Sequence, residues 1–286
     1  MAIISELIPT FSRKPIFGYR FIGYSSVAIA LFGFIVWGHH MFVSGQSRLV
    51  TMIFSALTFS VAIPSAVKIF NWLATMYKGN IVCATPMWYA LSFMFLFTIG
   101  GTHRLALRHA GRRRALARHH FIVAHFHYVM VGGTVVAFLG GLHYWWPKMT
   151  GRMLQRNARQ DRLSVRFLGF QSDVLHAIHP WPAGHAAPLL QLRPPSSDGT
   201  HMVSSIGSYI MAIGLFLTLG YLLHSLKNGR VAPANPGAAT HSNGTRHPPP
   251  PHDNFAEVPV LGVPVRRLEV GRGYRRLLQE AGGVRR

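Results

Sequence analysis

Five long apolar stretches constrain the fold of this chain more than any other feature of its sequence. A helix that crosses the hydrocarbon core of a bilayer needs about 20 consecutive apolar residues. The stretches are too long for membrane strands and do not alternate in polarity. We therefore predict an all-α integral membrane protein, a polytopic bundle with about five clear spans. The predicted spans are residues 21–43, 50–74, 82–101, 121–146 and 205–226.

The charged residues are few, and most of them are basic. They make up 13% of the chain, yet the formal net charge is +21. A nucleic-acid-binding protein needs a basic face on a folded domain, with side chains that read or stack on bases. Here the basic residues lie between apolar spans, so the composition favours the lipid bilayer as a partner and gives no support for nucleic acid. The single cysteine, Cys83, excludes an internal disulfide framework, and we expect it to be a buried small residue.

Two adjacent histidines, His39 and His40, lie near the end of the first predicted span. Neighbouring residues on a straight helix point about 100° apart, so both rings can reach one metal only if the helix loosens there. Gly38 directly before them permits such loosening. Imidazole suits copper, iron or zinc. The alternative is a pair of interfacial histidines that form hydrogen bonds to neighbouring helices.

A second pair, His125 and His127, lies inside the fourth predicted span. Residues two apart on a helix differ by about 200°, so the two rings face nearly opposite sides. They are poorly placed to share one metal, but each can bind a different cofactor. Histidine is a common axial ligand of haem, and one haem on each side of the helix is consistent with this geometry. The alternative is two core histidines satisfied by hydrogen bonds.

Lys68 lies deep in the second predicted span, four residues after Pro64. The proline lacks a backbone donor, which frees the carbonyl of Ser60, and freed carbonyls in membrane helices can bind water. Thr58, Ser65 and Lys68 fall within roughly 80° of one helix face. This row of two hydroxyls and an amine suggests a proton path. The alternative is a lysine that extends its charge to the membrane interface.

Together these segments resemble the catalytic subunit of the haem–copper respiratory oxidases. The resemblance is carried by three blocks and covers more than half of the chain. The blocks are IFGYRFIGYSSVAIALFGFIVWGHHMFVSG, then SVAIPSAVKIFNWLATMYKGNI with FMFLFTIGG, and IVAHFHYVMVGGTVVAFLGGLHYWWPKMTGRM. The family fold has about twelve spanning helices, and the resemblance implies that this chain corresponds to its C-terminal half.

The resemblance implies a role for each matching residue. His39 and His40 match two of three copper ligands, His125 matches the axial ligand of the high-spin haem iron, and His127 matches one ligand of the low-spin haem iron. The remaining matches belong to the lysine proton channel, namely Thr58, Ser65 and Lys68.

The implied cofactors are two haems, of the a-type, and one copper. The implied reaction couples oxidation of cytochrome c to reduction of oxygen to water and to proton translocation, together with other oxidase subunits. The expected location is the bacterial inner membrane.

The resemblance and the apolar runs together divide the chain into four parts. Residues 1–150 hold transmembrane helices with the cofactor ligands and the lysine channel, and residues 151–201 form a divergent segment. A further transmembrane helix is predicted at 202–228, and an extramembrane, largely disordered tail at 229–286.

Residues 102–120 and about 154–200 depart from the family. The first stretch, THRLALRHAGRRRALARHH, replaces a helix and a magnesium and haem-propionate site. Six arginines within a membrane span would cost several kcal/mol. We predict that compensating changes of reading frame bracket these stretches and that the magnesium site is lost.

Three other readings remain open from the sequence. A quinol oxidase of the same superfamily shares the same motifs. A non-functional frameshifted fragment would bind no cofactor, and the fragment alone is expected to be inactive. A basic membrane-surface protein offers no reason for His125 and His127 inside a span.

Overall fold

We describe the chain from a computed structural model that covers residues 1–42, 44–106, 120–154, 198–237, 239 and 249. Within these ranges the fold is helical, and the β pairing is limited to one isolated bridge. A 3₁₀ turn, Trp37–Met41, and a π-helical segment, Met130–Val135, accompany eight α-helices. The helices are α1 (Ala2–Ser12), α2 (Tyr19–Ile35), α3 (Arg48–Ser60), α4 (Ala62–Met76), α5 (Thr85–Ala106), α6 (His120–Val129), α7 (Val136–Thr150) and α8 (Asp198–Asn228).

Four helical segments of the described chain are long and apolar enough to cross a membrane. They correspond to four of the five predicted spans. The remaining predicted span, 82–101, forms α5 but is not among the four. Its sequence mixes Tyr, Trp, Ser and Thr with the apolar residues, and it packs against α1, α6 and α7 at the centre of the bundle. The four segments are Tyr19–Met41, Arg48–Met76, His125–Thr150 and Ser205–Asn228.

The second predicted span is broken in the middle, three residues before Pro64. The helix α3 ends at Ser60, and α4 begins at Ala62. Pro64 cannot donate to the carbonyl four residues earlier, and that carbonyl belongs to Ser60. At the other end, the Ser47 hydroxyl caps α3 by accepting a hydrogen bond from the backbone of Val50 at 3.3 Å.

The first helix, α1, was not predicted and lies at the centre of the core. Ile4, Leu7, Ile8 and Phe11 are at most 6% exposed. Their spacing places them on one helix face, and this spacing is the sequence signal for the helix. The face packs against α4, α5 and α7. Burial of a helix this short indicates that its stability comes from packing rather than from intrinsic propensity.

Glycines set the close approach between α5 and the helix that follows His127. A Cβ on Gly132 would lie 2.9 Å from the Cβ of Leu96, and one on Gly140 would lie 2.8 Å from the Cβ of Tyr89. Both distances are shorter than ordinary carbon contacts. These small residues therefore permit the close helix packing that is common in membrane proteins.

The end of α7 and the end of α8 are tied together. The backbone of Met153 donates to the carbonyl of Arg230 at 2.7 Å, and Ala232 donates to Gly151 at 2.8 Å. The indole of Trp146 also donates to the Ser225 hydroxyl at 2.8 Å. The first residues after α8 are therefore held in an extended path against the end of α7.

The expectation that Cys83 is buried is wrong. It is exposed, because it lies in the extended segment between α4 and α5 rather than within a helix. Several other expectations fall outside the described residues, including the frame changes, the lost magnesium site and most of the tail.

Candidate metal and proton-path site

The two adjacent histidines converge in the 3₁₀ turn that follows α2. The Nε2 atoms of His39 and His40 lie 2.9 Å apart, and their ring centroids are 4.1 Å apart. A 3₁₀ turn replaces the α-helical spacing at these residues. The helix therefore departs from α geometry at the two histidines, as expected, and their Nε2 atoms face each other.

Thr58 fixes the orientation and the tautomer of His39. Its Oγ1 lies 3.1 Å from His39 Nδ1, and the hydroxyl donates to the carbonyl of Phe54. Because the hydroxyl hydrogen is used for that carbonyl, the oxygen accepts from Nδ1–H of the imidazole. A neutral His39 then carries its lone pair on Nε2, which is the nitrogen that faces His40. Hydrogen bonds of this kind commonly orient metal-binding histidines.

Phe54 and Gln46, neither of which was predicted as a site residue, hold the turn in place through their contacts with Gly38. Gly38 is buried against the ring of Phe54, and no Cβ would fit there. The Gln46 amide donates to the Gly38 carbonyl at 3.0 Å. No spacing rule connects Gln46 or Phe54 to the histidines, so only the folded arrangement reveals them.

The histidine pair fits two ligands of a single copper or similar ion. Two nitrogens at about 2.0 Å from one metal and at right angles to each other are about 2.8 Å apart. The observed 2.9 Å separation of the Nε2 atoms is close to that value, and without a metal it is a hydrogen bond between the two rings. The described ranges contain no group of three or more His, Cys, Asp or Glu side chains arranged for a metal. The pair therefore supplies part of a coordination sphere.

The second pair, His125 and His127, lies on α6, two residues apart in continuous helix. Residues at this separation project to nearly opposite sides. Both side chains are half-buried, whereas Tyr128 beside them is fully buried against α5. The opposite directions of the two imidazoles stay a prediction from the geometry of this continuous helix.

His125 is held by the backbone of α5. Its Nδ1 donates to the carbonyl of Gly100 at 3.0 Å, since a carbonyl can only accept. The neutral ring then carries its lone pair on Nε2, the nitrogen by which it would bind an iron. Gly100 permits this contact, because a Cβ there would lie 2.9 Å from a methyl group of Val129. These residues fit a haem ligand with a fixed tautomer.

Lys68 is buried and bonded across a helix contact. It is 4% exposed, and its Nζ donates to the hydroxyl of Ser26 on α2 at 2.7 Å. The Ser26 hydroxyl donates in turn to the carbonyl of Ile22 at 2.8 Å. Ser26 was not among the predicted site residues. Only the packing of α2 on α4 brings it to the lysine.

The three predicted proton-path residues are not joined directly to one another. Ser65 donates to the carbonyl of Val61 at 2.9 Å, and Thr58 is bonded to His39 and Phe54. Because the chain breaks between α3 and α4, Thr58 belongs to a different helix from Ser65 and Lys68. Thr58 therefore sits at the histidine pair, and Lys68 sits at α2.

The comparisons with known proteins agree on one family. The family model described as cytochrome c and quinol oxidase polypeptide I matches residues 1–226. This match includes both histidine pairs and the lysine, and it spans both of the stretches that depart from the family in sequence.

Individual relatives give the same result. The chain is similar to cytochrome c oxidase subunit 1 of Bacillus sp. (strain PS3), at 37% identity over 261 residues, which cover 91% of this chain and 42% of the relative. It is also similar to that subunit of Synechocystis sp., at 36% identity over 259 residues, 91% of this chain and 47% of the relative. The chain thus spans less than half the length of these curated relatives.

A solved structure has a similar fold. It is a haem–copper terminal oxidase dimer determined by cryo-electron microscopy, with a TM-score of 0.71 at 17% sequence identity. The similarity covers 80% of this chain and 46% of the solved one. At this identity the comparison supports the membrane-helical fold alone.

Proposed function

The chain belongs to the cytochrome c and quinol oxidase polypeptide I family, and from this premise we propose that it is part of the catalytic subunit of a respiratory terminal oxidase. It is a multi-pass integral membrane protein, as its apolar helices and relatives indicate. The proposed reaction couples the oxidation of cytochrome c to the reduction of oxygen to water and to proton translocation. The proposed location is the bacterial inner membrane, in complex with other oxidase subunits.

The convergence of His39 and His40 is the observation that carries this proposal. Two Nε2 atoms 2.9 Å apart suit a shared copper, and Thr58 holds His39 in the tautomer that can bind it. The part of the family fold that this chain does not contain would supply the third ligand. His39 and His40 would hold the copper from one side.

His125 and His127 are the proposed haem ligands. Their opposite directions on α6 suit a high-spin haem at His125 and a low-spin haem at His127. Gly100 keeps the His125 ring in place. When bound, the haems, of the a-type by the resemblance, and the copper supply the redox chemistry, which the protein side chains lack. The protein holds the ligands in position and limits access of water and protons.

Lys68 is the proposed proton carrier, with Ser65 and Thr58 along the same path. A buried amine within a spanning helix is costly unless it has a function or a partner. Lys68 on α4 and Thr58 at the histidine pair belong to separate helices, and no hydrogen bond described for either residue joins them. This separation requires bound water or further hydroxyls between the two residues.

The donor is proposed to be cytochrome c. The curated relatives are named cytochrome c oxidase subunit 1, whereas the family also includes quinol oxidases. Assays of the purified complex with reduced cytochrome c and with a quinol distinguish the two. A faster rate with the quinol would overturn this choice.

The assignment is tested by spectra and metal content of the purified oxidase complex that contains this chain. We expect reduced-minus-oxidised haem bands and bound copper in the unaltered complex. Replacement of both His39 and His40 by Ala should remove the copper and leave the haem bands, while His127→Ala should remove the low-spin haem band.

His224→Ala is the matched control for these replacements, because His224 is an exposed histidine on α8. Copper content that survives the loss of both His39 and His40 contradicts the proposed copper site. Absence of haem and copper from the unaltered complex would instead support the reading as a non-functional frameshifted fragment.

A further inference from the structure

The buried amine of Lys68 is hydrogen-bonded to a hydroxyl of the neighbouring helix α2. Among the hydrogen bonds of the described residues, Nζ donates to Ser26 Oγ at 2.7 Å. A short distance of this kind is typical of a bond to a charged group. An ammonium that leaves water loses strong solvation, and each remaining bond therefore contributes more than it would at the surface.

The Ser26 hydroxyl is itself oriented by the backbone of α2. It donates its hydrogen to the Ile22 carbonyl at 2.8 Å, which leaves the oxygen lone pairs to accept from Lys68. The resulting chain of hydrogen bonds runs from the amine to the hydroxyl and on to the carbonyl. Ser26 lies on an exposed part of α2, whereas Lys68 is 4% exposed. The serine therefore connects a buried amine with the surface of the described bundle.

We propose that Ser26 is the positioning residue of the lysine proton path, because its hydroxyl holds the Lys68 amine at the contact between α2 and α4. This inference rests on the proposed function, since it assumes that Lys68 carries protons to the oxygen-reducing site. It adds to that function a residue from a different helix, outside the row formed by Thr58, Ser65 and Lys68.

The alternative role for Ser26 is purely structural, as one more polar contact between two helices. Neighbouring Ser25 offers the control that separates the two roles. Its hydroxyl donates to the same Ile22 carbonyl at 2.9 Å, and the side chain is buried. Ser25→Ala removes an equivalent bond within α2 without removing the partner of Lys68.

The test compares four variants of the oxidase complex that contains this chain: Lys68→Met, Ser26→Ala, Ser26→Thr and Ser25→Ala. We expect kcat of Ser26→Ala to fall roughly tenfold or more, the size of effect expected from losing a hydrogen bond to a charged group. Its KM for cytochrome c and its haem bands should not change. Ser26→Thr, which keeps a hydroxyl, should recover most of the loss, and Ser25→Ala should match the unaltered complex.

A second measurement does not depend on turnover. The full chain in detergent micelles is treated with a membrane-permeant acylating reagent, and labelling of the Lys68 amine is measured by mass spectrometry. Labelling should increase severalfold in Ser26→Ala, because the amine is no longer held, and should not increase in Ser25→Ala.

The outcomes separate this inference from the proposed function. If Lys68→Met has normal turnover, the proton path through Lys68 is wrong. If Lys68→Met is slow while Ser26→Ala equals Ser25→Ala in both turnover and labelling, the path stands and the role of Ser26 is wrong. A drop in kcat that Ser26→Thr does not restore also overturns the role of its hydroxyl.

Discussion

The hydrogen bond between Thr58 and His39 allows a quantitative prediction about metal affinity. Thr58→Val replaces the hydroxyl by a methyl group of similar size at a position that is 5% exposed, so that the packing is nearly conserved. What is lost is the acceptor for His39 Nδ1–H, which lies 3.1 Å from the Thr58 hydroxyl oxygen. The imidazole can then rotate or take the other tautomer, in which Nε2 carries the proton and cannot bind a metal.

The magnitude follows from the cost of an unsatisfied buried donor, about 1–3 kcal/mol. At about 1.4 kcal/mol for each factor of ten, this corresponds to roughly a 5-fold to 150-fold loss of copper affinity. Replacement of residues that orient metal-binding histidines costs a similar 10-fold to 100-fold. We therefore expect the affinity of Thr58→Val for copper to fall by one to two orders of magnitude.

The assay is a copper titration of the metal-depleted complex against a chelator of known affinity. Thr58→Ser keeps the hydroxyl and should bind copper nearly as well as the unaltered complex. Thr218→Val is the matched control, because this buried threonine also donates to a carbonyl four residues earlier, that of Gly214 on α8 at 2.8 Å. Equal affinities for Thr58→Val and Thr218→Val would refute the reasoning about the tautomer.

Two further predictions concern the stability of the bundle. Gly132→Ala should lower the free energy of unfolding by roughly 1–3 kcal/mol, because the new Cβ would lie 2.9 Å from that of Leu96. Gly33→Ala is the control and should not lower it, because a Cβ on Gly33 would meet nothing within 4 Å. Thermal unfolding in detergent compares the two variants. Ser5→Ala removes the hydroxyl that accepts from the buried indole N–H of Trp72 at 3.0 Å. The free energy of unfolding should therefore fall by about 1–3 kcal/mol in the same assay. An unchanged midpoint of thermal unfolding would show that this bond contributes nothing to stability.

The fold followed from the sequence wherever a long apolar run determined it. The spans around α2, α3 with α4, α7 and α8 were all predicted, whereas the break before Pro64 was not. Helix α1 was not predicted, because its 11 residues are too few for a membrane span. Its apolar spacing was visible, but only the surrounding helices explain why it is buried.

The candidate site was predicted as residue types and became specific only through packing. The opposite directions of His125 and His127 follow from helix geometry alone, and the need for a loosened turn at His39 follows in the same way. The partners Ser26 and Gln46 could not be predicted, because each reaches its target across a contact between segments. Thr58 was predicted as a channel residue, which stays a prediction, and the fold adds a contact between its hydroxyl and His39.

The π-helical segment Met130–Val135 begins three residues after His127 and lies between the two histidines and α7. Its hydrogen bonds run from residue i to residue i+5, so it holds one residue more than a turn of α-helix. A single-codon deletion within this segment can therefore convert it to regular α-helix and leave both imidazoles facing as before relative to α7. The α-helical residues Tyr128 and Val129 have no such extra residue, and a deletion there would rotate both imidazoles by about 100° relative to α7.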